Sequence, residues 1–310
     1  MANSTDTVSN LQDRDWELLL DRIKDKRCTP LIGAGIRPQG LRHRTLIAQQ
    51  WAKDYDYPLE DSGDLARVSR FLSVRYDAEF TKKKLINELA RDASPDFNDV
   101  NEAYIVLAKL GLPIYITTNY DDYMEQALAW AGIDKEPRTE LFCWKKSLSN
   151  RPSFLSGGYE PTAANPLVYH LYGYPESFDK YPDNHESLVL TEDDYLEFLI
   201  NASRGDDPLP PRIERAITGT SLLLLGYRLD DWDFRVLFHL LLAKYLQRNT
   251  TRTHIAVQIT PLRDEATSEV KKKVQDYMDR YIVTKNIGIK VFWGTSQAFI
   301  AELKRRRGGD

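Results

Sequence analysis

Short apolar runs recur along the chain and alternate with stretches in which apolar residues return every three or four positions. The first run, Cys28–Ile32, is cut off by Gly33-Ala34-Gly35. Such runs are typical of buried strands, and the stretches between them are typical of amphipathic helices. Strands that alternate with helices predict a parallel sheet covered on both faces. The other predicted strands are Pro113–Thr118, Leu167–Leu171, Ser221–Gly226, His254–Ile259 and Ile287–Trp293.

Helical spacing begins at Trp16–Ile23 and returns after most of the apolar runs. We therefore predict one α/β domain over about residues 12–305, with a Rossmann-like parallel sheet of about six strands. Residues 41–110 show helical patterns without a strand and are predicted to form a helical insertion lobe. Residues 140–215 are rich in Pro, Asn, Ser and Gly and are predicted to be a loop-rich insertion. The later predicted helices are Tyr123–Ala131, Ile213–Thr218, Asp233–Leu246, Ser268–Tyr281 and Gln297–Arg305.

Composition excludes several classes of protein. The net charge of −4 argues against direct nucleic-acid binding, which favours a basic surface. No apolar run approaches the roughly 20 residues needed to span a membrane, and the polar N-terminus is unlike a signal peptide, so a cytoplasmic protein is expected. Only Cys28 and Cys143 are present, without a CxxC pair, which excludes a four-cysteine zinc module. The acidic residues at 230–233 are expected to cap a helix, and no metal site is predicted.

The turn Gly33-Ala34-Gly35 is the first candidate site. A strand that enters Gly-x-Gly lets the backbone approach a pyrophosphate, whose charge free amides and a helix dipole can meet. The full dinucleotide fingerprint needs a third glycine at position 38, where this chain has Pro38. A standard hydride-transfer dehydrogenase is therefore disfavoured, and a tight turn without a ligand stays open as the alternative.

Further candidate residues lie at or after the ends of three of the other predicted strands. Asn119 offers an amide that can hold a ribose hydroxyl or a water, and Asp121 or Asp122 could bond a carboxamide, although Asn119 or an aspartate could simply cap the next helix. His170 and Tyr172 are two apart on a predicted strand, so their side chains are expected to share a face. A histidine there could act as a general base or be purely structural. Gly226 ends a buried strand in the same way as Gly33.

Taken in this order, the motifs resemble the sirtuin-like domains of bacterial anti-phage defence effectors. Gly33-Ala34-Gly35 matches the GAG with which that family opens, and Thr118-Asn119-Tyr120-Asp121 matches its T-x-N-x-D block. Tyr169–Gly173 stands where the family has its histidine-glycine block. Further likeness lies in Leu188–Tyr195, Gly226–Arg235 and Val291–Thr295, so the resemblance runs from about residue 12 to about residue 303.

The resemblance implies that NAD lies across the carboxyl ends of the strands as a substrate. It implies an NAD glycohydrolase that releases nicotinamide and ADP-ribose as the effector domain of a defence system. By this resemblance, Asn119 orients the nicotinamide ribose and the attacking water, and His170 is the catalytic base. The residues implied to bind the remainder of NAD are Gly33, Ala34, Gly35, Thr118, Asp121, Tyr172, Gly226 and Tyr227.

Two departures from the family pattern leave alternatives open. Sirtuin deacetylases follow GAG with a segment containing Asp-Phe-Arg, and most carry a four-cysteine zinc lobe, whereas this chain has Ile36–Gly40 and two cysteines. Protein deacylation is therefore disfavoured and no zinc is expected. The family's histidine directly precedes the glycine, where this chain has Tyr172, and His170 lies about 6–7 Å further back along a strand, so whether His170 or Tyr172 fills the base position stays open. A non-catalytic NAD or ADP-ribose sensor or assembly module is the alternative. Because such effectors are commonly activated by assembly, a homo-oligomer or an activating partner is also expected.

Overall fold

The computed structural model describes residues 11–37, 40–91, 93–132, 136–148, 153–174, 184–204, 209–228, 232–238, 253–258, 268–283 and 288–308. Within these ranges seven strands form one sheet in which every recorded pair is parallel. The strands are β1 (Cys28–Ile32), β2 (Ile114–Thr117), β3 (Arg138–Leu141), β4 (Leu167–His170), β5 (Ser221–Leu225), β6 (His254–Gln258) and β7 (Ile289–Trp293). Their order across the sheet is β3-β4-β2-β1-β5-β6-β7.

The predicted α/β class is confirmed, but the sheet has seven strands rather than six. The additional strand is β3, at the edge of the sheet beside β4. Three of its four residues are polar or charged, so it lacks the apolar run that marks the other strands. Glu140 is nevertheless buried, and its carboxylate accepts hydrogen bonds from the backbone amides of Phe154 and Leu155. These bonds offset the cost of burying a charge in an edge strand.

Helices cover both faces of the sheet, because successive strand residues point to opposite sides. Two hydrophobic clusters lie on the two faces of the sheet. In β5, Leu222 and Leu224 belong to the first cluster, while Leu223 and Leu225 belong to the second cluster. The helices are α1 (Asp13–Lys24), α2 (Gly40–Asp54), α3 (Leu65–Arg75), α4 (Ala78–Leu89), α5 (Ala103–Ala108), α6 (Tyr123–Trp130), α7 (Glu192–Arg204), α8 (Pro211–Gly219), α9 (Trp232–Leu237), α10 (Ser268–Val283) and α11 (Ser296–Arg307).

The helical stretch predicted over residues 41–110 divides between the two faces. Residues of α2, α3 and α4 pack in the first cluster, together with Tyr169 and Trp144. All six residues of α5 are buried in the second cluster, beside α6 and α11. The predicted helix Asp233–Leu246 is described only as far as Phe238, and the remainder lies outside the described residues.

The connection after β1 fixes where a ligand can lie. β1 pairs with β2 on one side and with β5 on the other, so the chain reverses its direction across the sheet at β1. In open α/β sheets such a switch point leaves a crevice beyond the carboxyl ends of the strands. The candidate residues after β1, β2 and β5 are therefore brought to one edge.

Candidate functional site at the carboxyl edge of the sheet

Tyr227 joins the ends of the three central strands. Its hydroxyl donates to the carbonyl oxygen of Ile32 at 2.9 Å and lies 3.0 Å from Oγ1 of Thr118. The amide of Thr118 also donates to the Ile32 carbonyl at 3.0 Å. Tyr227 and Thr118 are 9% and 2% exposed, so these bonds are shielded from water. Two predicted site residues from distant parts of the sequence therefore meet at the end of β1.

The glycine turn after β1 is closely packed. A Cβ atom on Gly33 would lie 2.7 Å from the Tyr227 ring, and one on Gly226 would lie 2.3 Å from the Ile36 nitrogen. Gly226 also has a φ of +77°, a conformation that L side chains rarely adopt. Glycine is required at both positions by this close contact between two turns, whether or not a ligand is bound.

Three amides of the turn are already used inside the protein. Gly33 donates to the Leu225 carbonyl, Gly35 donates to the Gly226 carbonyl, both at 2.8 Å, and Ile36 donates to the Gly33 carbonyl at 3.1 Å. In this conformation these three amides are therefore not free to hold a pyrophosphate. The reason is that the turn binds the end of β5, which the local sequence around Gly33 does not reveal.

Asn119 is held at three of its four polar groups. Its backbone amide donates to Oγ1 of Thr117 at 3.0 Å, and its side-chain nitrogen donates to the hydroxyl of Tyr104 at 3.1 Å. Its carbonyl oxygen faces a ring nitrogen of His170 at 3.2 Å. Asn119 is 4% exposed, and its Oδ1 has no hydrogen-bond partner among the described residues. A buried acceptor without a partner is costly, so this oxygen is a candidate for a contact with a ligand.

His170 is fully buried between two oxygen acceptors. Nδ1 faces the Asn119 carbonyl, and Nε2 lies 2.8 Å from Oε1 of Glu125 on α6. Burial alone would lower the pKa of His170, but the charge and hydrogen bond of Glu125 outweigh it and raise the pKa above its ordinary value. Neither nitrogen presents a free lone pair to a substrate, so this geometry gives no support to the predicted role of His170 as a base.

Asp121 is the second acidic group near His170. Desolvation raises the pKa of Asp121 to about 6, against the lowering effects of the Tyr123 backbone amide and the His170 charge. Its Oδ1 accepts from the Tyr123 amide at 3.3 Å and lies 3.5 Å from the Tyr104 hydroxyl. A carboxyl group with such a pKa changes its charge close to neutral pH, as groups at functional sites often do.

Tyr172 lies on the other side of the sheet from the His170 imidazole. Its ring packs at 5.3 Å from Tyr195 and at 5.4 Å from Phe198, in the first hydrophobic cluster. The prediction that Tyr172 and His170 share a face is wrong, because β4 ends at His170 and strict alternation ends with it. The ring that packs beside His170 is instead that of Tyr174, at 4.9 Å.

Two residues of the site are absent from the sequence prediction. Glu125 lies in the first turn of α6, where an acidic residue is ordinarily explained by the helix dipole. Tyr104 lies in an apolar helix that is typical of a buried core, and it contacts Asn119 from α5, which packs on α6. Neither residue carries a local signal of its contact.

The described part of the chain contains neither a metal-binding cluster nor a membrane-spanning helix. No group of three or more His, Cys, Asp or Glu side chains is placed to hold a metal ion there. In the same ranges, no helix is both long enough and apolar enough to cross a membrane. Cys28 is buried and Cys143 is exposed, and the two are not joined by a disulfide.

Comparison with known proteins identifies the family of the chain. A family model described as a SIR2-like domain matches residues 113–282, which contain β2, β4, β5 and most of the candidate residues. The NAD(+) hydrolase ThsA of Acinetobacter baumannii (strain 532279) is 21% identical over 227 residues, which cover 71% of this chain and 41% of that protein. The chain thus corresponds to less than half of the length of this relative. Because the family model covers more than half of the chain, the protein belongs to the SIR2-like domain family.

Proposed function

We propose that this domain binds NAD at the carboxyl edge of the sheet and hydrolyses it to nicotinamide and ADP-ribose. The observation that carries the proposal is the buried Oδ1 of Asn119, an acceptor without a partner among the described residues, at the switch point of the sheet. A ribose hydroxyl or a water would supply the missing donor. The likeness to an NAD(+) hydrolase supports NAD as the source of that ribose.

The reaction breaks the bond between C1′ of the ribose and the nicotinamide nitrogen. Water forms the new bond to C1′, and the products are nicotinamide, ADP-ribose and one proton. Because positive charge develops on the ribose as the bond breaks, the site must hold the sugar and one water in line while excluding others. Asn119 is suited to this task since its backbone and its side-chain nitrogen are fixed, which leaves Oδ1 pointing in one direction.

Asp121, which follows Asn119 by two residues, is suited to stabilise a developing cation. Asp121 carries negative charge above about pH 6, its raised pKa. Negative charge near the ribose stabilises an oxocarbenium-like transition state more than the ground state. We assign Asp121 to this electrostatic role and to the edge of the nicotinamide pocket.

The remaining predicted residues are assigned to the adenylate side of NAD. Thr118 and Tyr227 bond each other and the Ile32 carbonyl, while Gly33 and Gly35 donate to the carbonyls of Leu225 and Gly226. Because three turn amides are internally bonded, the pyrophosphate lies along the turn at Ala34 and does not replace the bonds to β5. Tyr172 packs against Tyr195 and Phe198 in the first hydrophobic cluster, and it supports the site through this packing.

The biological role that follows is an effector domain in a bacterial anti-phage defence system, in which NAD loss halts the infected cell. Assembly into a homo-oligomer or contact with a partner would switch such a domain on. A second function has one observation in its favour. The family's histidine position holds Tyr172, and both nitrogens of His170 are engaged. These features fit a domain that binds NAD or ADP-ribose without cleaving it.

Calorimetry combined with nicotinamide analysis separates these two functions. The purified chain is titrated with NAD, and the same mixture is then analysed for free nicotinamide. Hydrolysis predicts nicotinamide in proportion to NAD lost, with both abolished in Asn119→Ala. Saturable NAD binding without nicotinamide at any protein concentration would support the binding module. Absence of binding would refute both functions.

A further inference from the structure

We propose that Glu125 is a positioning residue that keeps His170 as a buried imidazolium, and that this cation fixes Asn119 for the reaction. The effect of this cation on catalysis rests on the proposed function. The chain of contacts runs from Glu125 Oε1 to His170 Nε2 at 2.8 Å and from His170 Nδ1 to the Asn119 carbonyl at 3.2 Å. His170 therefore acts through Asn119 rather than on the substrate.

Glu125 is itself anchored from the edge of the sheet. Its Oε1 accepts from Oγ1 of Thr139 on β3 at 2.9 Å as well as from His170. The Glu125 side chain is 12% exposed, and that of His170 is 0% exposed. A carboxylate oxygen can accept two such hydrogen bonds, and hydrogen bonds to an ionised acceptor are the stronger ones. Strand β3, which the sequence patterns did not predict, thus holds Glu125 in place through Thr139.

Both bonds of His170 require a proton on the ring nitrogen. A carbonyl oxygen only accepts, so Nδ1 must donate to Asn119, and a carboxylate only accepts, so Nε2 must donate to Glu125. A neutral imidazole has one N–H group and can satisfy only one of them. The charged and titratable groups around the ring are Glu125 on α6, Asp121 in the turn before it and Tyr174 after β4.

Deprotonation of His170 would release Asn119 rather than Glu125. The bond to the carboxylate is charge-assisted and is the stronger of the two, so a neutral ring would keep its proton on Nε2. Its Nδ1 lone pair would then face the Asn119 carbonyl and repel it. Activity is expected to fall as pH rises through the raised pKa of His170. A general base would produce the opposite trend, because only its neutral form is active.

Replacement of Glu125 by glutamine distinguishes the two roles. The side-chain amide that Glu125→Gln introduces can donate to Nε2, so a neutral ring protonated at Nδ1 would hold the Asn119 carbonyl at every pH. We expect Glu125→Gln to abolish the alkaline loss of kcat. Glu125→Ala should lower kcat about 10- to 100-fold with a smaller change in KM, since misplacement of a substrate-orienting group costs rates of this size. Glu79→Gln, on the exposed side of α4, is the matched control and should keep the alkaline loss.

Nitrogen NMR of labelled histidine tests the pair without reference to turnover. The His170 signals are assigned by their absence in His170→Asn. We expect both ring nitrogens to carry protons in the wild type at a pH just above the ordinary imidazole pKa of 6.5, and only one to do so in Glu125→Gln. A neutral His170 in the wild type would overturn the inference, as would nicotinamide release that rises through the His170 ionisation. If the proposed function is wrong, no nicotinamide is released at any pH. In that case the NMR signals of His170 alone test whether Glu125 keeps the ring protonated.

Discussion

The hydroxyl of Tyr104 lies 3.1 Å from the side-chain nitrogen of Asn119 and fixes the direction in which the Asn119 amide points. Tyr104 is 1% exposed, and burial holds its pKa well above the ordinary value, so the hydroxyl stays protonated. It can accept from Asn119 while donating its own proton towards Asp121, 3.5 Å away. Tyr104 therefore selects Oδ1, and not Nδ2, as the group that faces a ligand.

Tyr104→Phe should impair the reaction more than the fold. The substitution keeps the ring but leaves the Asn119 nitrogen without its acceptor, which costs about 1–3 kcal/mol of stability. Because the amide is then free to turn, we expect nicotinamide release to fall about tenfold or more. Tyr115→Phe is a matched control, because the Tyr115 hydroxyl bonds Leu107 and Leu112 rather than Asn119. Equal rates in the two variants would contradict this role of Tyr104.

Asp121→Asn should stabilise the protein at neutral and alkaline pH. The folded state binds the Asp121 proton more tightly than the unfolded state, since its pKa is raised from 3.8 to about 6. Stability is therefore lost as pH rises through this window, and the penalty, up to about 3 kcal/mol, is complete above it. The neutral amide carries no such penalty.

Thermal unfolding across the same pH window checks this prediction. The melting temperature of Asp121→Asn should separate from that of the wild type as pH rises and remain higher at about pH 8. Asp122→Asn serves as the neighbouring control. A lower melting temperature for Asp121→Asn at about pH 8 would mean that burial does not dominate the ionisation of Asp121.

Gly226→Ala should disrupt the contact between the turns after β1 and β5. The new Cβ would lie 2.3 Å from the Ile36 nitrogen and would stand on a backbone with φ of +77°. We expect a loss of about 2 kcal/mol or more in the free energy of unfolding. Gly157→Ala is the control, because nothing lies within 4 Å of its Cβ position. Chemical denaturation measures both, and comparable stability in the two variants would contradict the close packing of the turns.

Much of the fold is predictable because buried parallel strands leave strong local signals. Ser221–Leu225 is a continuous apolar run that ends in glycine, and the structure places β5 there. Arg138–Leu141 carries no such signal, since it is an edge strand with three polar or charged residues. Its pairing with β4 depends on long-range contacts that no local pattern contains.

The candidate site likewise has a part that the sequence predicts and a part that it does not. Asn119 follows a recognisable strand, so its place at the carboxyl edge could be predicted. The contacts that orient it come from Tyr104 and Glu125, which lie on helices and resemble ordinary core and helix-end residues. The side of the sheet on which the Tyr172 ring packs could not be predicted either, because it depends on the residue at which strand β4 ends.

The most direct measurement of the central claim is the initial rate of nicotinamide release from NAD by the purified chain, at high and low protein concentration. The account predicts release by the wild type, a rise in specific activity with concentration if assembly activates it, and no release by Asn119→Ala. Asn98→Ala, on an exposed loop, should behave as the wild type. Equal release by Asn119→Ala and the wild type would contradict the account, because the buried Oδ1 of Asn119 would then have no part in the reaction.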